Sequence, residues 1–210
     1  MSDTNGTDHP LERLVFFSDA VFAIAITLLV IEIEVPHLPR EASADAFARP
    51  LAHLIPSFIG FFISFAVVGM FWVSHHRAFS LARRYDPSVL PWNMALLGMV
   101  ATMPWFTAFM SSNISARLPT IVYCSALAVA ALLNLRVVFT ATGPKMAGEM
   151  AGTDAAAYVR LRSLSVLLGA LTAIAVAALL PIQGQLGLIS IPLWRRILAV
   201  RKRRPTRTAI

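Results

Sequence analysis

Charge is scarce in this sequence. Only 14% of its 210 residues are Asp, Glu, Lys or Arg, where soluble domains carry about 25%. Hydrophobic residues make up 57% and the mean hydropathy is +0.69, so too little polar surface exists to cover a water-soluble globule. Cysteine is nearly missing: Cys124 stands alone, which excludes a secreted disulfide scaffold. The same apolar content excludes a disordered chain. Signatures of catalysis are missing as well. There is no GxSxG elbow, no HExxH and no Walker lysine loop. His75 and His76 are adjacent and would point about 100° apart on a helix, so as a pair they make no two-ligand metal site. The expectation is a non-enzyme without metal or cofactor. What remains is an integral membrane protein, all-α and polytopic.

A span needs about 20 mostly apolar residues. The first candidate is 14–35, LVFFSDAVFAIAITLLVIEIEV, after the polar start MSDTNGTDHPLER. That start is acidic rather than basic and no small-residue cleavage site follows, which argues against a signal peptide. Segments 54–74, 88–109 and 118–135 follow; the third holds Pro91 and Pro104, and Arg136 closes the fourth. From Ser163 to Trp194 no residue is charged. One helix of that length would measure about 48 Å, too long for a ~30 Å hydrocarbon core. With Pro181, Gly184 and Gly187 near its middle, it divides into a fifth span at 163–180 and a shorter sixth at about 183–200. Residues 147–162 read as an inner helical extension of the fifth span. The loops are short, so 1–200 forms one six-span transmembrane domain and 201–210 a basic cytoplasmic tail.

Charge asymmetry supports six spans. With the N-terminus inside, Arg13, Arg77, Arg83, Arg84, Lys145, Arg160, Arg162 and the arginine-rich stretch from Arg195 onward fall on the inner side. Only Arg40, Arg49 and Arg117 fall outside. A five-span count would put the basic tail outside, against the positive-inside rule. Both termini are therefore expected in the cytoplasm. The net charge of +7 reads as topology and anionic-lipid contact, not as nucleic-acid binding.

The first span differs from the rest. Ionisable groups within a membrane are costly, and Asp19 lies one to two turns into it, beside Ser18. Arg13 is six residues away, about 120° around the helix, so a partner from another helix is expected. Candidates at that level are His75, His76, Arg77, Trp92 and Asn93. Such a cluster either locks helices together or conducts, gates or protonates. Farther along, Ile24, Leu28, Ile31 and Val35 recur as one helical stripe. Ala20, Ala23 and Thr27 form a small-residue stripe beside it, suited to close helix packing. The apolar stripe fits lipid contact, core packing, or a pore constriction that gates by dewetting. The TVGYG run that supplies a carbonyl filter is absent. If ions are selected, hydroxyls or the width of a constriction must do it.

Arg13-x-x-x-Phe17-Ser18-Asp19, continued by AVFAIAITLLVIEIEVP, closely resembles the signature of the bacterial branch of the transmembrane protein 175 family. FWVSHHRAF at 71–79 and the stretch from Asn93 to Pro104 are similar too, so the resemblance covers most of 12–110. It implies a potassium-permeable channel of the bacterial inner (plasma) membrane, a homotetramer of six-helix subunits whose first helices line a central pore without a carbonyl filter. Carried onto this sequence, the constriction falls on Ile24, with Leu28 and Ile31 on the same stripe, and Thr27 matches a threonine layer tied to selectivity. Arg13, Phe17, Ser18 and Asp19 match the signature. Its polar members resemble a network to helices two and three, with His76, Trp92 and Asn93 as candidate partners and His75 behind them. Potassium ions, membrane lipid and further copies of the chain are the implied partners. The alternative is a proton- or cation-coupled secondary transporter with Asp19 as relay. Transporters often show internal repeats, and none is visible here.

Overall fold

The computed structural model describes residues 9–36, 44–113, 115–180 and 187–203. Among them every regular element is helical: α1 (His9–Ile31), α2 (Ala44–His53), α3 (Ile55–Ser80), α4 (Leu90–Ala101), α5 (Met103–Ser111), α6 (Arg117–Ala141), α7 (Pro144–Ala147), α8 (Asp154–Leu179) and α9 (Ile191–Arg203). A chain in hydrocarbon must satisfy its backbone polar groups internally, and helices do so within one segment. Five stretches of the described residues are long and apolar enough to cross: His9–Ile31, Ala48–Ser80, Pro87–Ser111, Arg117–Ala141 and Asp154–Leu179.

The helices differ from the hydropathy segments at their ends, for physical reasons. A hydropathy window stops at a charge, whereas a helix stops where its backbone can be capped. The fourth segment runs on past Arg136 to Ala141, because the Arg136 guanidinium lies over the Trp92 ring, 5.1 Å from its centroid. The fifth begins at Asp154, within the helical extension expected at 147–162. Thr153 caps it, its hydroxyl accepting from the Ala156 N–H at 3.4 Å. Arg160, inside that extension, donates to the Thr142 hydroxyl at 2.8 Å and to the Thr142 carbonyl. The third segment is two helices, α4 and α5, with Thr102 between them. Pro104, second in α5, lacks the N–H that a continuous helix needs, and the Thr102 hydroxyl donates to the Met99 carbonyl at 2.7 Å.

The sixth segment behaves differently. Residues 181–186 lie outside the described residues, and α9 has 13 residues, about 20 Å, short of a ~30 Å core. It begins against the middle of α8. A Cβ on Gly169 would run into Ile191, and one on Gly187 into the backbone of Ala173, so glycine permits the close approach. Trp194 Nε1 donates to Thr172 Oγ1 at 3.0 Å. The helix continues to Arg203, across the expected boundary between residues 200 and 201; the rest of the expected tail, 204–210, lies outside the described residues.

At the centre stands α6, packed against α3, α4, α5 and α8; α1 lies on α3, α4 and α5. Phe22, Val68, Phe71, Leu96, Tyr123 and Leu127 fill the core between them. The link after α3 meets the link after α6: the Arg83 and Arg84 N–H groups both donate to the Met146 carbonyl, at 2.7 and 3.1 Å. The two basic links therefore sit at one end of the bundle.

Candidate functional site: the first helix and its polar anchor

The 23 residues of α1 measure about 34 Å, enough to cross. Its buried residues are Leu14, Ser18, Phe22, Ala25 and Leu29, a single stripe at helical spacing. The opposite side faces away from the bundle. Ile24 is 59% exposed, Leu28 38% and Ile31 71%, with Arg13, Phe17, Ala20, Ala23 and Thr27 exposed as well. All three residues of the expected constriction thus share the face that the subunit leaves uncovered. Thr27 belongs to it too. Its hydroxyl donates to the Ile24 carbonyl at 2.8 Å, which commits the proton to the helix and leaves the oxygen as an acceptor.

Ser18 and Asp19 are neighbours in sequence and so project about 100° apart, which sends them to different helices. Ser18 turns to α4: Asn93 Nδ2 donates to Ser18 Oγ at 2.9 Å, and Ser18 Oγ donates to the Leu14 carbonyl at 2.7 Å. Asn93 then joins α3. Its Oδ1 lies 2.8 Å from His75 Nε2; a carbonyl oxygen can only accept, so Nε2 carries the proton. Ser18, Asn93 and His75 are fully buried. The imidazole packs between Phe22 and Phe79, centroids 5.5 and 4.5 Å away. Its Nδ1 has no partner among the described residues. One buried chain of hydrogen bonds therefore ties α1, α4 and α3.

Asp19 turns to α3, where Trp72 Nε1 donates to its Oδ1 at 2.8 Å. The acceptor is a carboxylate and the donor a neutral indole, so this is a hydrogen bond rather than an ion pair. His76 stacks beside that indole at 5.7 Å. The structure thus brings together Ser18, Asn93 and His75, and separately Asp19, Trp72 and His76. The expectation ranked His76 above His75, but the imidazole on Asn93 is that of His75. Trp92 is turned to Arg136 instead of either group. Arg13 and Phe17 line a shallow cleft with Tyr85 and Met94, at the start of α4.

Sequence reasoning missed Trp72. The available signal was an indole N–H within a membrane, which needs an acceptor, one helical turn before His76. Two further polar knots went unread. Ser64 Oγ lies 2.8 Å from Tyr123 OH and accepts from Thr107 Oγ1 at 2.7 Å, joining α3, α5 and α6. Ser74 and Ser163, 2.6 Å apart, receive Asn134 Nδ2 at 3.4 and 3.5 Å, joining α3, α6 and α8. Among the described residues no group of three His, Cys, Asp or Glu could hold a metal ion.

Residues 13–104, which contain most of α1, the anchor and α4, match the family model described as endosomal/lysosomal potassium channel TMEM175. The chain is 38% identical over 143 residues to a potassium channel of Chamaesiphon minutus, covering 66% of this chain and 70% of that protein. It is 39% identical over 99 residues to a potassium channel of Streptomyces collinus, 47% of each. The endosomal/lysosomal proton channel TMEM175 of Homo sapiens shares 32% identity over 113 residues, 51% of this chain and 22% of that one. Among solved structures, the lysosomal potassium-selective channel TMEM175 homolog from Chamaesiphon minutus superimposes with a TM-score of 0.71. It is 30% identical and the match covers 93% of this chain and 100% of that one.

Proposed function

The chain belongs to the TMEM175 family, and from that premise we propose that it is a potassium-permeable channel whose path is lined by α1. The observation that carries this reading is the division of α1 into two faces. One face is tied to α3 and α4 by buried hydrogen bonds. The other presents Ile24, Leu28 and Ile31 outward, with the Thr27 oxygen among them. A helix held so firmly on one side can keep the other at a fixed distance from an axis. One subunit cannot enclose a path with a single such face, whereas symmetric copies around an axis can. The assembly we propose is a homotetramer. Four Ile24 side chains form the narrowest ring, which excludes bulky ions and sheds water when closed. Four Thr27 oxygens replace part of a cation's hydration shell there. Both termini lie in the cytoplasm of a bacterium and the chain in its inner membrane, in keeping with the basic links after α3 and α6 meeting at one end.

The decisive experiment is conduction by the purified protein in planar bilayers and liposomes. Potassium currents of single-channel size, with a reversal potential favouring potassium over sodium, are expected. Slow saturating uptake without unitary currents would favour the coupled-transporter reading instead. Because vertebrate relatives carry the name proton channel, the same bilayers should be tested with a proton gradient as the only driving force. Native mass measurement reads the assembly, and a monomer in bilayer-like medium overturns the axial arrangement.

A further inference from the structure

Between α3, α8 and α9 lies a cleft of about 410 Å³ walled by Ile63, Ala66, Met70, Val166 and Ile191. Two arginines line it as well, Arg162 on α8 and Arg195 on α9; among its described lining residues there is no carboxylate. Asp154 lies instead in the adjoining cleft, with Arg195 and Arg196. Two helices thus each bring an arginine to an apolar slot.

We propose that this cleft is a binding site for an anionic glycerophospholipid, with an acyl chain between α3 and α8 and the phosphate on Arg162 and Arg195. The α3 and α8 walls belong to helices long and apolar enough to cross a membrane, so lipid tails are the medium the slot opens to. From Ile63 to Met70 the α3 wall of the slot rises about 10 Å, within one leaflet's share of a ~30 Å core. Guanidinium groups match phosphate oxygens in a planar, two-pronged geometry. Basic pockets between spanning helices on the cytoplasmic side recognise acidic headgroups for the same reason. A neutral zwitterionic lipid would bring its own cation to the arginines. A free phosphate would satisfy them but leave the apolar walls uncovered, and a second copy of the chain would have to bring a carboxylate to this depth. The acidic lipid meets both demands. Its site is formed partly by α9, so its occupancy would set how firmly α9 rests on α8.

The test is native mass spectrometry of the purified protein offered equal amounts of phosphatidylglycerol and phosphatidylcholine. Retention of phosphatidylglycerol is expected to exceed that of phosphatidylcholine about tenfold. The double variant Arg162→Gln/Arg195→Gln should bring the ratio close to one, and Arg162→Lys, which keeps the charge and loses the two-pronged contact, should give a ratio between the two. Ala66→Trp, which fills the slot and leaves the arginines in place, should release the lipid. Elution volume and helical dichroism identify variants that have not folded; the preference is then read from the others. Equal retention of both lipids by the parent protein overturns the proposal, as does a preference unchanged in the double variant. Displacement of bound lipid by millimolar inorganic phosphate would make it an anion site only. A change of subunit number in Ala66→Trp with lipid retention unchanged would assign the slot to a second copy.

Discussion

Helices α1 and α9 both lie at the edge of the bundle, and they are held in opposite ways. The first is 23 residues long and the second 13. A buried relay from Ser18 through Asn93 to His75 fastens α1 across two other helices. Among the described residues, α9 rests on α8 through a partly buried bond from Trp194 to Thr172, together with the close approaches at Gly169 and Gly187. The outward face of α1 is apolar and small-residued, with no charge between Asp19 and Glu32. The outward side of α9 carries Arg196 beside Leu193 and Val200. The difference separates two tasks. A helix that must hold a radius is pinned by directional bonds in the dry interior; a helix that meets lipid headgroups is left amphipathic and lightly attached.

Breaking the pins should show the largest difference. Asn93→Leu leaves His75 Nε2 without its acceptor and Ser18 without its donor, inside the core. A loss of about 1–3 kcal/mol is expected, read as a lower midpoint of reversible unfolding in mixed micelles. Trp194→Phe removes the bond that holds α9 and should cost about 0.6 kcal/mol. Equal losses in the two variants would erase the distinction between a pinned and a resting helix.

Next in size is the response of conduction to a polar residue on each outward face. Ile24→Asn hydrates the proposed constriction. A cation there no longer faces a purely apolar ring, so the open current should rise several-fold, on the order of 1 kcal/mol of barrier. Ile197→Asn places the same amide on α9 and should leave unitary current unchanged. Single-channel recording checks both. If neither variant alters the current, α1 does not line the path.

How much of this was legible in the sequence follows from the range of each interaction. The two faces of α1 could be read because helical periodicity is local, and Ile24, Leu28 and Ile31 fall on one stripe by spacing alone. The partners of Asp19 and Ser18 could not. Trp72 is 53 residues from Asp19 and Asn93 is 75 from Ser18, and only tertiary packing decides which of several polar groups at one depth meet. The order of His75 and His76 turned on a 100° rotation about α3, which no pattern in FWVSHHRAF fixes. A span boundary was drawn at Arg136, and Arg160 and Arg162 were read into a helical extension of the fifth span rather than the span itself, because hydropathy charges the full cost of an arginine. The folded chain supplies a Trp92 face to the first and the Thr142 oxygens to the second. That the sixth segment is shorter was legible, but the extent of α9, 13 residues, was not. Apolar residues from Leu186 to Leu198 satisfy a hydropathy count whether they cross the membrane or pack against α8.

A smaller effect tests the hydroxyl on the conducting face against the apolar residues around it. Thr27→Val keeps the side-chain shape and removes the oxygen. One hydrogen-bond-strength contact is worth about 0.5–1.5 kcal/mol. If potassium uses that contact more than sodium does, the permeability ratio should fall roughly two- to tenfold. Assembly should be unaffected, since Thr27 bonds only within its own helix. The reversal potential with potassium on one side and sodium on the other reads this directly. An unchanged ratio would assign selection to the width of the Ile24 ring.

The smallest effect lies where α1 ends. Glu32 and Glu34 follow Ile31 directly and are exposed. In the proposed tetramer they surround the outer mouth of the path, whereas α9 delivers arginines to the opposite end. Carboxylates at a mouth raise the local cation concentration without touching the selecting atoms. A carboxylate about 7 Å from a passing ion in water contributes about 0.6 kcal/mol, roughly a threefold enrichment. Glu32→Gln/Glu34→Gln should therefore lower inward unitary current by about two- to threefold at low ionic strength. At 1 M salt the Debye length is about 3 Å, and the difference should vanish. Outward current, which enters from the other end, should change less than inward current under either condition. The potassium-to-sodium ratio should stay the same, because the charge acts equally on both ions. A loss of current that persists at high salt would mean that these carboxylates shape the path itself rather than its electrostatic approach.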